Sequence, residues 1–271
     1  MNAYGKYIFG TMSLGRNPAD PAADLRVVAA ALEAGVRFHS SRTYERGFSF
    51  MVLQMAFAAH RGPKPEMILK IRDASPALMR FEVEDSLARL GMEQIQIAQL
   101  VSMDAEPGNL VDQLCRGEGP LVTELAALKA RGLIREAVIF VHRGNADTAV
   151  AAARHPLIDG LTGYWSPVQR DLTETAWAAL QAQEIPFFAL RTLGGWRDPA
   201  LQGRREALQA QFPGRDPVQL ALDWAASFPV VRGTIGGTAN LEHLQHFLTA
   251  ASRAAPLSQA EIEWVEAGLR A

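Results

Sequence analysis

The sequence predicts an α/β protein, a closed parallel (β/α)8 barrel of the TIM type. Three observations lead there. Eight short apolar runs punctuate the 271 residues. Longer stretches with apolar residues at helix spacing lie between them. The repeat is roughly 30 residues, which favours a closed barrel over an open sheet.

The elements follow in order. "KYIFGTM" opens the series, followed by a helical stretch over Asp20–Ala34, with Asp20-Pro21 as its start signal. "VRFHS" is the second strand and Ser49–His60 the second helix. "EMILKIR" leads to Ser75–Leu90, "IQIAQLV" to Pro120–Arg131 and "REAVIFV" to Ala146–Ala153. "IDGLTGYW" precedes Thr173–Gln183. "IPFFALR" precedes Pro217–Phe228, which Asp216-Pro217 starts. "FPVVRGTIGG" closes the set ahead of Leu241–Ala251. Two further helices, Pro199–Phe212 and Ser258–Gly268, are appended in the C-terminal part. No Gly/Ser/Pro linker or low-complexity run divides the chain, so 1–271 reads as a single barrel domain.

Composition narrows the function classes. A formal charge of −2 and no basic run give no footprint for nucleic acid. No apolar stretch reaches the length of a membrane-spanning helix. The start "MNAYGKYIFGT" lacks the charged and apolar regions of a signal peptide. One cysteine, Cys115, cannot form an internal disulfide, which fits a reducing compartment. The expectation is a cytoplasmic protein acting on a small molecule.

In such barrels chemistry gathers at the C-terminal ends of the strands. Strand one delivers Thr11, Met12 and Ser13 there, and strand two His39, with Tyr44 in its loop. Strand three delivers Lys70. Strand four delivers Val101 and Ser102, with Asp104 beyond as the only carboxylate. His142 and Arg143, Tyr164 and Trp165, Arg191, and Gly236 and Gly237 complete the rim.

Each has an ordinary reading. Tyr44 alone suits packing, but a lysine beside it suits acid–base work. Lys70 in an apolar strand either points inward, where a buried ammonium needs partners or a depressed pKa, or snorkels outward from a strand slipped by one residue. His39 is either a hydrogen-bonding structural histidine or an active group. His142 and Arg143 read first as solvated loop. Arg191 suits bidentate binding of a phosphate or carboxylate, or pairs with Asp104 or Asp198. His39, His142 and Asp104 have no ligand spacing on one element, and a divalent ion would face Lys70, so no metal site is expected.

Several segments resemble the aldo-keto reductase family, in the family's order: "IFGTMSLG", "LEAGVRFHSSRTYERG", "EMILKIR", "IQIAQLV", "FFALRTLGGW", "VQLALDWAASFPVVRGTIGGTANLEHL" and "LSQAEIEWVEAGL". The resemblance spans almost the whole chain. It implies a barrel that reduces carbonyls with NADPH through an Asp, Tyr, Lys and His tetrad. In that tetrad the Tyr protonates the carbonyl oxygen, the Lys lowers the Tyr pKa and the Asp holds the Lys. Tyr44 and Lys70 match. The Asp position falls on His39 and the His position on Val101.

The cofactor positions differ more. The Ser-Asn pair that holds the nicotinamide amide falls on Phe140 and Val141, and the following Gln near Thr162. The stacking aromatic falls on Leu190 and the next Ser on Arg191. Backbone-type features remain at Thr11, Met12, Leu193, Gly237 and Thr238, the expected cofactor contacts. NADP(H) is therefore expected to bind weakly or not at all, since several lost polar contacts at about 1–3 kcal/mol each weaken affinity by orders of magnitude.

Three functions follow, in order. The first is a divergent enzyme with Tyr44, Lys70 and His39 catalytic, Lys70 lowering the Tyr44 pKa and His39 accepting a hydrogen bond from its ammonium. Arg191, His142, Trp165 and Val101 would hold a small oxygenated substrate. The second is an NADP(H)-dependent reductase with an altered site. The third is a non-catalytic barrel that binds a metabolite or a protein.

Overall fold

The chain is seen in a computed structural model that describes residues 4–101, 108–192 and 198–270. Eight parallel strands form the barrel: β1 (Tyr7–Gly10), β2 (Arg37–Ser41), β3 (Met67–Ile71), β4 (Ile95–Leu100), β5 (Ile134–Val141), β6 (Gly160–Ser166), β8 (Phe187–Leu190) and β9 (Val231–Gly237). They run in the order β5-β4-β3-β2-β1-β9-β8-β6, and a β5–β6 ladder closes the ring. β7 (Gln169–Arg170) is a two-residue antiparallel addition to β6.

Side chains alternate across each strand, so two cores form. Ile8, Ile68, Ile97, Val138, Phe140, Phe188, Leu190 and Ile235 fill the barrel interior, with Val101 and Tyr164 packed against them. Their neighbours face outward into a larger core beneath the helices: Tyr7 and Phe9 on β1, Phe38 on β2, Met67 and Leu69 on β3. Burial of each such side chain is worth about 1.5–3 kcal/mol, which is why the register holds. At the β1–β9 seam a Cβ on Gly237 would fall 2.5 Å from the Gly10 carbonyl oxygen, so glycine is needed there for close strand approach.

The outer helices sit close to where periodicity puts them: α1 (Ala22–Glu33), α2 (Phe48–Ala59), α3 (Pro76–Leu90), then α5 (Pro120–Ala130), α6 (Ala146–Ala152), α7 (Glu174–Ala182), α9 (Pro217–Ala226) and α10 (Leu241–Arg253). Both appended helices are present, α8 (Gln202–Gln211) behind a 3-10 turn at Pro199–Leu201, and α11 (Gln259–Arg270). Asp216 caps α9 by accepting from Val218 N and Gln219 N. Asp20 accepts from Ala22 N, but Pro21 holds the cap position of α1. One helix was not expected: α4 (Leu110–Arg116), capped by Asn109. Among the described residues no helix is long and apolar enough to cross a membrane.

Candidate active site

Lys70 lies two residues beyond Ile68 on β3, on the same face, and that face is the barrel interior. Its Nζ sits 5.1 Å from the Tyr44 ring centroid and 5.9 Å from that of Phe140. The inward reading of Lys70 therefore holds. Burial, and then the charge of Arg191, lower its pKa from 10.5 to about 8. Tyr44 opens a 3-10 turn, Tyr44–Gly47, ahead of α2. Glu45 and Arg46 follow with φ of 47° and 57°, a left-handed pair that fixes the loop at a cost of about 1–2 kcal/mol per residue.

The Tyr44 phenol corrects one expectation. Burial, and then Tyr164, push its pKa up rather than down. Lys70 stands over the ring face, and among the described residues no hydrogen bond joins Nζ to the phenol oxygen. The side chain is therefore a neutral phenol across the physiological range.

His39 corrects a second. Its ring is 2% exposed, and Nε2 lies 2.7 Å from Gln99 Oε1, not against Lys70. An amide oxygen only accepts, so Nε2 carries the proton. Burial and the Lys70 charge outweigh the Gln99 hydrogen bond and hold the His39 pKa down to about 3. Gln99 itself went unnoticed in the sequence. It lies two residues beyond Ile97 on the interior face, fully buried, and its Nε2 has no partner among the described residues.

At the rim, Arg191 has φ of +56° and its guanidinium carbon lies 4.0 Å from the Tyr164 ring centroid. A loose pair to Asp198, 3.8 Å, meets the structural reading of Arg191. Val101 packs at the top of the interior cluster. His142 Nδ1 accepts from Gly144 N at 3.1 Å, and its ring is 6.3 Å from Phe140. Asp104, with Ser102, lies outside the described residues. A different rim carboxylate is present: Asp171, directly after β7. Burial raises its pKa against the opposing effects of a Gln169 hydrogen bond and of Arg143, Arg191 and His142. Among the described residues no cluster of His, Cys, Asp and Glu could hold a metal ion.

Comparison with known proteins decides the family. Residues 6–269 match the aldo/keto reductase family. The chain belongs to the aldo/keto reductase family. Similar solved structures include an aldo-keto reductase from Bacillus halodurans in its holo form, with TM-score 0.76, 20% identity, and coverage of 97% of this chain and 91% of that one. Another is an aldo/keto reductase from Klebsiella pneumoniae in complex with NADP and acetate, with TM-score 0.73, 20% identity, and coverage of 96% and 90%. No curated protein gives a significant match.

Aldo/keto reductases typically use NADP, and the positions expected to serve that cofactor lie as follows. Phe140 and Leu190 fill the barrel interior. Val141 faces the outer core. Thr162 donates its hydroxyl to Phe188 O at 2.8 Å. Thr11, expected at a cofactor contact, is fully buried. Its hydroxyl donates to Ser40 Oγ at 2.8 Å, and its carbonyl accepts from Ser49. Thr238 is buried and accepts from Asn240 N. Met12 is 55% exposed. Leu193 lies outside the described residues. Trp165, expected at the substrate, is a clear correction. The alternation that turns Tyr164 inward turns Trp165 outward, where it packs against Trp177, Trp224 and Phe228.

Proposed function

We propose that this aldo/keto reductase family member runs acid–base chemistry on a small carbonyl or hydroxyl compound at the barrel mouth, with Tyr44 and Lys70 as the working pair. The observation that carries the reading is the contact of Lys70 Nζ with the Tyr44 ring at 5.1 Å at the C-terminal end of the barrel. Their environments split the roles. Tyr44 stays protonated and is the acid. Lys70, with a pKa of about 8, exists partly as free amine near neutrality and is the base. His39 stays neutral and, with Gln99, forms the floor beneath them. Arg191, His142 and Val101 are the substrate-side groups, and Arg191 favours an anionic one.

The side chains at the nicotinamide positions do not fit the usual contacts. Phe140, Val141 and Leu190 have no side-chain donor, and the Thr162 hydroxyl is already used. No hydride step is therefore assigned. A second reading, an NADP(H)-dependent reductase with an altered site, is favoured by the family match over residues 6–269. A fluorescence titration with NADPH and NADH separates the two. The acid–base reading expects no saturation at tens of micromolar, equivalent to binding weaker than roughly −6 kcal/mol. Saturation at low micromolar cofactor would promote the reductase.

A further inference from the structure

The chain has four lysines, Lys6, Lys64, Lys70 and Lys129. Three are engaged. Lys6 Nζ donates to Ala225 O at 2.9 Å and Phe228 O at 2.8 Å. Lys129 Nζ pairs with Asp159 at 2.6 Å and donates to Leu157 O at 3.0 Å. Lys64 Nζ donates to Phe57 O. Lys70 differs. Among the described residues its nitrogen meets ring faces alone, those of Tyr44 and Phe140.

Ring faces return about 0.5–2 kcal/mol to a cation, while leaving water costs an ammonium several. His39, which feels the Lys70 charge, is itself held neutral and offers no counter-charge. Arg191 adds a second positive charge from the rim. Burial and Arg191 both shift the balance toward the free amine, and among the described residues no neighbour takes its lone pair. Among the described residues the groups facing it are His39, Tyr44, Phe140 and Arg191, none of them anionic. A desolvated lysine beside another cation is the arrangement that activates an amine as a nucleophile.

We propose that Lys70 captures small aldehydes or ketones covalently, as a Schiff base. The proposal rests on the acid–base reading for the site at the barrel mouth and for Tyr44 as the proton donor, and differs in making Lys70 a nucleophile. The Nζ lone pair adds to the carbonyl carbon, and the C=O π pair moves to oxygen, which takes a proton from Tyr44. Nitrogen gives up a proton to form the neutral carbinolamine, and this proton restores the phenol. The nitrogen lone pair then expels the hydroxyl, which takes the Tyr44 proton and leaves as water, and bulk water at the barrel mouth reprotonates the phenolate. Amine, carbonyl and one proton become a protonated imine and one water, with no oxidation or reduction. The imine cation inherits the Tyr44 and Phe140 faces that hold the ammonium.

The test is reductive trapping with glyoxylate and sodium cyanoborohydride at neutral pH, read by peptide mass spectrometry. In the wild-type chain Lys70 should gain the reduced adduct at least about tenfold faster than the other three lysines, as expected of an activated amine. Lys6 is the internal control, since burial and Arg232 lower its pKa to about 8 as well, yet two carbonyls occupy its protons. Lys70→Arg should remove the fast adduct. Because the four lysines compete within one wild-type chain, the result stands even where that variant folds poorly. Labelling of Lys70 no faster than Lys6 or Lys64 would overturn the proposal. If Lys70 stays unlabelled while Tyr44→Phe abolishes turnover, covalent capture fails and the acid–base reading survives.

Discussion

His39 Nε2 and Gln99 Oε1 meet at 2.7 Å across strand β3, from β2 and β4. Alternate strands of such a barrel contribute side chains to the same interior layer, which brings residues 60 positions apart into contact. The pair seats a neutral imidazole inside the barrel. His39 is then a proton acceptor only in the unfolded chain at mildly acid pH.

This gives an acid-side prediction. With the folded pKa near 3 and the ordinary value at 6.5, the unfolded state binds the extra proton between them. Stability should fall as pH drops through that window, by up to about 1.4 kcal/mol per unit. Urea denaturation of wild type and His39→Gln across this range checks it. An equal slope in both would clear His39 of the effect. Gln99→Leu should cost about 1–3 kcal/mol at neutral pH, because the His39 N–H then loses the acceptor it has among the described residues.

Lys70 has the same sign in a higher pH window. Its folded pKa of about 8 lies below the ordinary 10.5, so the charged form is disfavoured by folding. The penalty is complete below the folded value, shrinks between the two and is gone above the higher. It amounts to on the order of 3 kcal/mol at neutral pH. Lys70→Met should therefore melt higher than wild type at pH 7 and converge with it in strongly alkaline buffer. A lower melting temperature at pH 7 would contradict the buried, partner-poor placement.

Tyr44→Phe keeps the ring under Lys70 and removes the phenol. On any substrate the enzyme turns over, the rate should drop about 10²–10⁴-fold with little change in substrate affinity. Combined with Lys70→Arg, the loss should fall well short of the product of the two, because the groups act as one unit. Steady-state kinetics on the single and double variants decides; wild-type turnover in Tyr44→Phe removes the residue from the chemistry.

Trp165→Ala should leave the site untouched and harm the fold. The indole is 1% exposed and stacks on Trp224 at 5.2 Å. Its truncation should cost about 3–5 kcal/mol in denaturation. A raised KM without destabilisation would return Trp165 to the substrate.

The barrel was legible because its two periodicities are strong: apolar runs of strand length alternate with helical stripes at a steady interval. Lys70 was legible for the same reason, since an ammonium inside "MILKIR" conflicts with its surroundings. Gln99 was not. It lies below the strand end where chemistry was sought, and its partner His39 is named only by strand register. Trp165 was misplaced because the reading credited both Tyr164 and Trp165 to the mouth, although a strand can send only one of two neighbours inward. Asp171 hid in "SPVQRD", a loop whose fold back over β6 no local pattern announces. Helix α4 is a second helix between β4 and β5, an interval where the strand–helix alternation called for one.

The seam between β1 and β9 has a consequence for synthesis. Tyr7 donates its hydroxyl to Gly236 O, 229 residues later, and the two strands pair along Tyr7–Gly10 and Thr234–Gly237. On a ribosome, one edge of β1 waits for that partner for roughly 10–50 s at ordinary translation speeds. Throughout that interval an apolar strand presents unpaired backbone groups, the template that invites another chain. Chaperone demand during expression should concentrate on the nascent chain before Val231–Gly237 emerges, and fall once it does.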